Sequence, residues 1–283
     1  MSKNTIVIPI YNDWKSLNKL LSQINQTLSS LDECKILIIN DCSTKKIDIK
    51  KKYLNKIKQI KVLSLKKNLG SQKCISIGLD YLKRFNGNFF ITIMDGDGED
   101  SPFEIKKMLS KAKKNPNFVI TSNRQNRNEN FIIQFSYKLH LIISYFLTWH
   151  WISFGNFSCF NSKNLKTLNL SDVWYAYSAG VIQSCKRKKL YASRQQRYFE
   201  SSKVNFLKLI EHSFRILAVF YKKIFFISIL MMFTFLIFNL KFSFLFCLLI
   251  FLFNLLIIFV KIKNYKKPSL NLSFFIKNIK ILN

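Results

Sequence analysis

Histidine is scarce in this chain, with 3 residues in 283, and none of the six cysteines forms a C-x-x-C pair. A zinc site is therefore not expected. Single, scattered thiols at Cys34, Cys42, Cys74, Cys159, Cys185 and Cys247 suit a reducing compartment better than a disulfide framework. Acidic residues are also few, 15 against 45 Lys and Arg, which leaves a formal charge of +30. Such an excess points to a polyanionic neighbour, nucleic acid or an anionic bilayer. Compositional drift is the competing explanation, because Lys, Asn, Ile and Phe are abundant while Gly (7) and Pro (4) are rare. No secretory signal peptide is expected, since the apolar run from Thr5 to Ile10 is short and meets Pro9. With hydrophobic residues at 49% and 28 Phe, the composition is not that of a disordered chain. No nucleic-acid recognition motif accompanies the charge, so nucleic acid is not expected as a partner.

Charge is missing altogether from two long stretches. Ile224–Leu240 and Phe242–Val260 carry none, and Lys241 alone divides them. Each run is long enough to span roughly 25–30 Å as a helix, about one hydrocarbon core. A two-helix transmembrane hairpin is expected over 222–261, with a buried hairpin of a soluble protein as the alternative. Lys222 and Lys223 precede the pair, and Lys261, Lys263, Lys266 and Lys267 follow it. By the positive-inside rule the protein is then a multi-pass membrane protein with its first two hundred residues and both termini in the cytoplasm. Lys203–Phe220 repeats apolar residues near the helical period, which predicts an amphipathic juxtamembrane helix over 203–221. Residues 262–283 read as a cytoplasmic basic tail that weakly repeats the amphipathic pattern.

Residues 1–202 alternate strand and helix patterns. Strands are predicted at Thr5–Ile10, Lys35–Ile39, Ile60–Leu65, Phe89–Met94 and Phe118–Thr121. Helices are predicted at Trp14–Leu31 behind an Asp13 N-cap, at about Ser71–Phe85, and after Pro102 with Ser101 as cap. This order predicts an α/β fold with a mainly parallel, doubly wound sheet, whose ligands bind beyond the carboxyl ends of the strands. Polar residues gather at those ends: Tyr11-Asn12-Asp13, Asn40-Asp41 and Asp95-Gly96-Asp97.

The most telling of these ends is Asp95-Gly96-Asp97-Gly98-Glu99-Asp100, four carboxylates in six residues directly after an apolar strand. Their mutual repulsion is costly unless a cation or solvent offsets it. Alternate carboxylates in a turn suit a hard divalent ion, Mg²⁺ or Mn²⁺, which would neutralise a departing diphosphate. A solvated turn is the alternative. A calcium loop of the EF-hand type is disfavoured, because its sixth position holds Asp100 instead of Gly and its twelfth Lys106 instead of Glu.

In this order the motifs resemble those of family 2 glycosyltransferases of the GT-A (Rossmann-like) fold, most nearly the dolichyl- or polyprenyl-phosphate sugar transferases. Pro9-Ile10-Tyr11-Asn12-Asp13 resembles P-x-Y-N-E, and Asn40-Asp41-Cys42-Ser43-Thr44 resembles D-D-G-S-T. Asn68-Leu69-Gly70 with Lys73 resembles the N-x-G segment, and Met94–Pro102 resembles M-D-A-D-L-Q-D-P-P. Ser122-Asn123-Arg124 resembles G-S-R, Phe154-Gly155-Asn156-Phe157 resembles the G-N/D-F segment, and Arg197 with Lys203 resembles R-x-x-G-x-S-K. Departures are Asp13 for Glu, Asn40 for Asp, Cys42 for Gly, Glu99 for Gln and Glu200 for Gly.

The resemblance implies an inverting hexosyltransferase that uses a UDP- or GDP-sugar donor and a polyprenyl-phosphate acceptor. It implies that Pro9, Tyr11, Asp13, Asp41, Gly70, Lys73 and Asp95 bind the nucleotide. Asp95 and Asp97, helped by Glu99, would hold Mg²⁺ or Mn²⁺. Arg124, Lys138, Arg197 and Lys203 would hold an acceptor phosphate, with Asp97, Asp100 and Arg124 nearest the chemistry. A phosphate acceptor needs cationic positioning but no strong base. A glycan or lipid hydroxyl would instead recruit Asp100 or Glu99 as base. A non-catalytic assembly protein of the same fold is the third reading. The aromatic stretch Phe131–Trp151 fits either a helix lying on the membrane or ordinary core, and His140 and His150 within it read as structural.

Overall fold

The computed structural model describes residues 3–28, 33–50, 54–124, 131–192, 195–199, 206–238, 242–265 and 271–282, with side chains throughout except at 124, 131–137 and 206. Two compact units emerge, and neither is a continuous block of chain. The first combines residues 1–128, 153–202 and 268–283, and the second combines 129–152 and 203–267.

The first unit is built on eight strands: β1 (Lys3–Ile10), β2 (Glu33–Asn40), β3 (Ile57–Leu65), β4 (Phe90–Ile93), β5 (Val119–Arg124), β6 (Phe154–Asn161), β7 (Arg187–Ala192) and β8 (Ile276–Leu282). They form one sheet in the order β7-β5-β6-β4-β1-β2-β3-β8. β1 pairs in parallel with β2 and β4, β2 with β3, and β5 with β7. β6 runs antiparallel to β4 and β5, and β8 runs antiparallel to β3. The sheet is thus mixed, where a mainly parallel one was expected. β6 mixes Gly, Asn and Ser among its apolar residues, and β8 mixes Lys and Asn among its own, so neither was expected as a strand.

The core follows from strand alternation. Ile6, Ile8, Ile36, Ile38, Ile60 and Val62 face one side of the sheet. Val7, Leu37, Ile39, Leu63 and Leu65 face the other. Burial on both faces explains why β1 and β2 read as unbroken apolar runs. On the first side α1 (Trp14–Thr27) contributes Leu17, Leu20, Leu21 and Ile24, all fully buried. Each such side chain contributes about 1.5–3 kcal/mol by burial. α3 (Ile105–Lys114) adds Met108 and Ala112. The second side is covered by α2 (Ser71–Leu82), together with the short helices α5 (Leu170–Tyr175) and α6 (Tyr177–Ser184). Gly78 on α2 lets that helix approach the sheet, since a Cβ there would lie 3.0 Å from Val7 and 3.2 Å from Ile39.

Local signals explain the boundaries. Asp13 accepts a hydrogen bond from the Ser16 amide at 3.1 Å, the expected N-cap of α1. Pro9 is tolerated inside β1 because its missing N–H lies on the β4 side. Val7 O takes the Met94 amide there, and the β4 register ends at Val7. Pro102 opens a short 3-10 turn over Pro102–Glu104 before α3, and Ser101 makes no side-chain cap. Residues 271–282, expected as a basic tail of weak helical pattern, form a short helix, α10 (Leu272–Phe275), and the edge strand β8.

The second unit holds α4 (Phe131–Thr148), α7 (Phe206–Val219), α8 (Tyr221–Ile237) and α9 (Ser243–Lys263). α8 and α9 are joined by a hydrogen bond from Asn254 Nδ2 to Ser228 Oγ at 2.9 Å and by stacked Phe235 and Phe246 rings at 5.1 Å. Among the described residues α9 alone is long and apolar enough to cross a membrane. α8 is 17 residues long and reaches that length only together with α7, from which it bends by 87°. Of the two-helix hairpin expected over 222–261, α9 is a candidate span by itself, and α8 reaches that length only as half of a bent pair. Phe225, Phe233, Phe244, Leu249 and Phe259 all point outward on α8 and α9, so neither helix has a polar face.

Candidate active site

The carboxyl ends of β1, β2 and β4 lie side by side, because β1 pairs with both of the others. The Asp41 amide donates to Ile10 O at 2.9 Å, which fixes the end of β2 against the end of β1. Asn12 follows at φ 60 and Cys42 at φ 57, both left-handed. Asn tolerates that conformation, and Cys42 stands where the resembling motif has glycine, which explains that preference. Asn12 Oδ1 accepts from the Thr44 and Lys45 amides at 2.9 and 3.0 Å, while its own amide donates to Ser43 Oγ at 2.9 Å. The two loops are thereby laced together. Tyr11 lies beside them half exposed, and Pro9 is buried in β1.

Asp41 is buried, and both its oxygens are engaged. Oδ1 accepts the Leu69 amide at 2.7 Å and Oδ2 the Gly70 amide at 2.8 Å. The Asn68-Leu69-Gly70 segment is thus held by the carboxylate expected to bind the nucleoside. Gly70, at φ 87, starts α2, and Lys73 stands one turn on with its Nζ 5.4 Å from the Trp174 ring centre.

The acidic turn is braced from several sides. Asp95 Oδ1 accepts from Asn156 Nδ2 at 2.9 Å, and the Asp95 amide donates to Asp100 Oδ2 at 3.0 Å. Asp97 Oδ1 accepts the Glu99 amide at 3.1 Å. Arg197 bridges the turn, with one nitrogen 3.0 Å from Asp97 Oδ2 and Nε 3.2 Å from Glu99 Oε1. The chain around Arg197 is pinned there too: the Gln195 amide donates to Glu99 O at 2.9 Å and the Tyr198 amide to Asp97 O at 3.1 Å. The Tyr198 ring leaves no room for a side chain at Gly98, whose φ is 89. Burial, then the charge of Asp95, push the Asp97 carboxyl up to about 6 despite Arg197.

A polar chain connects this turn to the Asp41 loop. Asn156 Oδ1 accepts from Gln72 Nε2 at 3.1 Å, and Gln72 Oε1 accepts the Tyr177 amide at 2.6 Å. Gln72 sits two residues after Gly70, so Asp95 and Asp41 belong to one rim. Asn12, Gln72 and Asn156 were assigned no role from sequence. Asn12 and Asn156 lie inside quoted motifs. Gln72 carries no signal, because a buried glutamine at a helix start looks like any polar residue there.

Of the expected acceptor residues, Arg197 is at the acidic turn. Arg124 ends β5, with its side chain outside the described set, and Lys203 lies outside the described residues. Lys138 is exposed on α4 in the second unit. Among the described residues no ready-made cluster of three or more His, Cys, Asp or Glu ligands is present. The six cysteines are free thiols.

The family model "Glycosyl transferase family 2" matches residues 5–185, and the chain belongs to that family. An uncharacterized glycosyltransferase of Synechocystis is 30% identical over 143 residues, 48% of this chain and 42% of that protein. The undecaprenyl-phosphate 4-deoxy-4-formamido-L-arabinose transferase of Salmonella choleraesuis is 29% identical over 145 residues, 49% of this chain and 42% of that one. The chain thus matches less than half the length of these relatives. Glucosyl-3-phosphoglycerate synthase from Mycobacterium tuberculosis, solved with Mn²⁺ and UDP-glucose, superposes with a TM-score of 0.53 at 12% identity, over 78% of this chain and 79% of that one. S. aureus TarS in complex with UDP-GlcNAc gives 0.50 at 20% identity, over 78% and 66%. These likenesses establish a GT-A-like α/β fold.

Substitutions at two positions test the geometry. Removing the guanidinium in Arg197→Met strands two part-buried carboxylates, at a cost of about 1–3 kcal/mol at pH 7.5. The raised Asp97 carboxyl takes up a proton as pH falls through about 6, so the loss should shrink by pH 5. Chemical denaturation of both proteins at the two pH values measures this, and an equal loss at both would contradict it. Asp13→Ala should cost about 1 kcal/mol through the lost cap, whereas Asp13→Asn, which caps equally well, should leave the melting temperature unchanged. A weaker nucleotide affinity in Asp13→Asn would then be read as loss of a binding charge alone.

Proposed function

We propose that this protein transfers a hexose from a nucleoside-diphosphate sugar to a polyprenyl phosphate at a membrane surface, inverting the anomeric centre. The observation that carries the reading is the polar chain from Asp95 through Asn156 to Gln72, beside the loop that Asp41 holds. It supports the reading because it links the end expected to take the base to the end expected to take the diphosphate, at the carboxyl ends of β1, β2 and β4, where such folds take nucleotides. The donors named for the two solved neighbours, UDP-glucose and UDP-GlcNAc, support the donor class. The lipid named for the Salmonella relative supports the acceptor class.

The acidic turn fits a hard divalent cation. Its donors are carboxylate oxygens, and the turn already draws a cationic group, Arg197, onto Asp97 and Glu99. Sites for Mg²⁺-like ions need only one or two carboxylates, with phosphate oxygens and water completing the shell. Asp95 and Asp97 would hold the ion, with Glu99 in support. When bound, the ion supplies charge neutralisation for the departing diphosphate.

The chain's own groups then divide the work. Asp41 and the Leu69–Gly70 amides shape the nucleoside end. Asn156 orients Asp95. Arg197 stands where it can hold an anionic acceptor beside the donor, with Arg124, Lys138 and Lys203 as further candidates. Lipid phosphate is already ionised near neutral pH and attacks without a base. Of the bases a hydroxyl acceptor would require, Glu99 accepts from Arg197 Nε and Asp100 from the Asp95 amide, which favours the phosphate. α9, with α7 and α8, would anchor the chain at the bilayer that carries the acceptor, the catalytic unit and both termini facing the cytoplasm.

Membranes containing the protein, given labelled UDP- or GDP-sugars with Mn²⁺, should label added polyprenyl phosphate. Asp97→Asn should slow this on the order of 10²–10³-fold, the usual loss on removing an electrostatic stabiliser. Label appearing in a glycan, with none in the lipid phosphate, would reject the acceptor. Proton competition sets a second expectation. Below about pH 6 the Asp97 carboxyl protonates, so Mn²⁺-dependent nucleotide binding should weaken about tenfold per pH unit. Calorimetry between pH 5 and 7.5 measures this, and a flat profile would remove Asp97 from the ion.

A further inference from the structure

We infer that residues 271–275 are a positioning strap for the nucleotide loop, so that donor affinity depends on chain lying beyond the apolar helices. The inference rests on the donor reading above and names a control on that same site. Lys66 is the first residue after β3 and the start of the loop that ends at Gly70. Its amide donates to Phe275 O at 2.9 Å, and its Nζ donates to Ser273 O at 3.1 Å. Its carbonyl accepts from Cys42 Sγ at 3.5 Å, in the loop that follows Asp41. The far end of the same loop gives the Leu69 and Gly70 amides to Asp41. The five-residue loop is therefore held at one end by α10 and at the other by the nucleotide carboxylate.

Side chains reinforce the backbone ties. Leu272 and Phe275 are 2% and 5% exposed and pack in the sheet face that holds Leu63, Leu65 and Leu79. The Phe275 ring lies 5.3 Å from Trp174, and Trp174 in turn lies under Lys73. An added edge strand needs only ladder bonds to its neighbour, and β8 makes these with β3 from Leu65 to Ile60. The Lys66 amide bond to Phe275 O carries this pairing one residue past β3 into the loop, and the Lys66 Nζ bond to Ser273 O is additional to it. Phe275 and Lys66 are thus positioning residues: they touch no substrate and act through the Leu69–Gly70 amides and Lys73.

The test uses the full-length protein in detergent, with hydrogen exchange of the loop amides and calorimetric binding of UDP and GDP with Mn²⁺. Lys66→Met removes one hydrogen bond at the surface. It should leave the melting temperature unchanged, weaken the bound nucleotide about threefold and speed exchange at Leu69 and Gly70 by a similar factor. Phe275→Ala should do both by roughly tenfold or more, and Phe275→Leu should restore most of the loss. Leu165→Ala, in the same core cluster but with no hydrogen bond to the loop, serves as the destabilised control and should do neither. The strap is overturned if loop exchange in Lys66→Met matches the wild type and Phe275→Ala exchanges no faster there than Leu165→Ala. Should wild-type protein bind neither UDP nor GDP, the donor reading fails, and loop exchange alone still decides the strap.

Discussion

Charge repulsion in the turn after β4 is the constraint around which the first unit is arranged. Four carboxylates between Asp95 and Asp100 repel one another, and burial makes the repulsion stronger. Each neighbour answers part of it. Asn156 takes an oxygen of Asp95, backbone amides take oxygens of Asp97 and Asp100, and Arg197 spans Asp97 and Glu99. Asp97 nonetheless remains raised to about 6. A site that is braced in geometry but short of positive charge is suited to receive a cation and the anion it carries. The same bracing would serve poorly in a turn kept only for solubility, where water would offset the charge without Asn156 or Arg197.

The rim around Asp41 works on the opposite principle. There a single buried carboxylate meets donors on both oxygens, and they come from a loop distant in sequence. Because those donors are backbone amides, any substitution other than proline leaves them in place, and loop shape itself becomes the controlled quantity. Cys42 in a left-handed conformation and Asn12 in another show where the chain accepts strain to bring the two loops together.

Legibility followed the strength of the periodic signal. β1, β2 and the Asp13 cap of α1 could be read from residues because both strand faces are apolar and the cap is a local device. The acidic turn was legible for the same local reason. β6 and β8 were not. Phe154–Asn161 mixes Gly, Asn and Ser, and Ile276–Leu282 alternates Ile with Lys and Asn at an exposed edge. Their strand state comes from partners elsewhere in the chain, β4 and β5 for one and β3 for the other. Gln72 and Asn156 were opaque likewise, since a hydrogen bond between residues 84 apart leaves no local trace. The apolar runs announced helices, and the break between α7 and α8 at Phe220 falls beside the boundary expected between the juxtamembrane helix and the hairpin; its 87° angle has no Gly or Pro to announce it.

The first unit is interrupted twice, and its closing elements come after every apolar helix. Lys66 and Ser273 bond across 207 positions. Loop-closure entropy rises only with the logarithm of length, each doubling costing about 0.6 kcal/mol, so sixty-odd intervening residues add little to the equilibrium cost. Folding order is affected more. β3 remains an open edge, and the Lys66 loop lacks its tether, until residues beyond α9 have been made. In a chain whose intervening helices expose Phe and Leu, that delay ties completion of the Lys66–Gly70 loop to the fate of those helices. α10 and β8 make residues 271–282 part of the first unit's architecture, although by sequence they resemble only a basic tail.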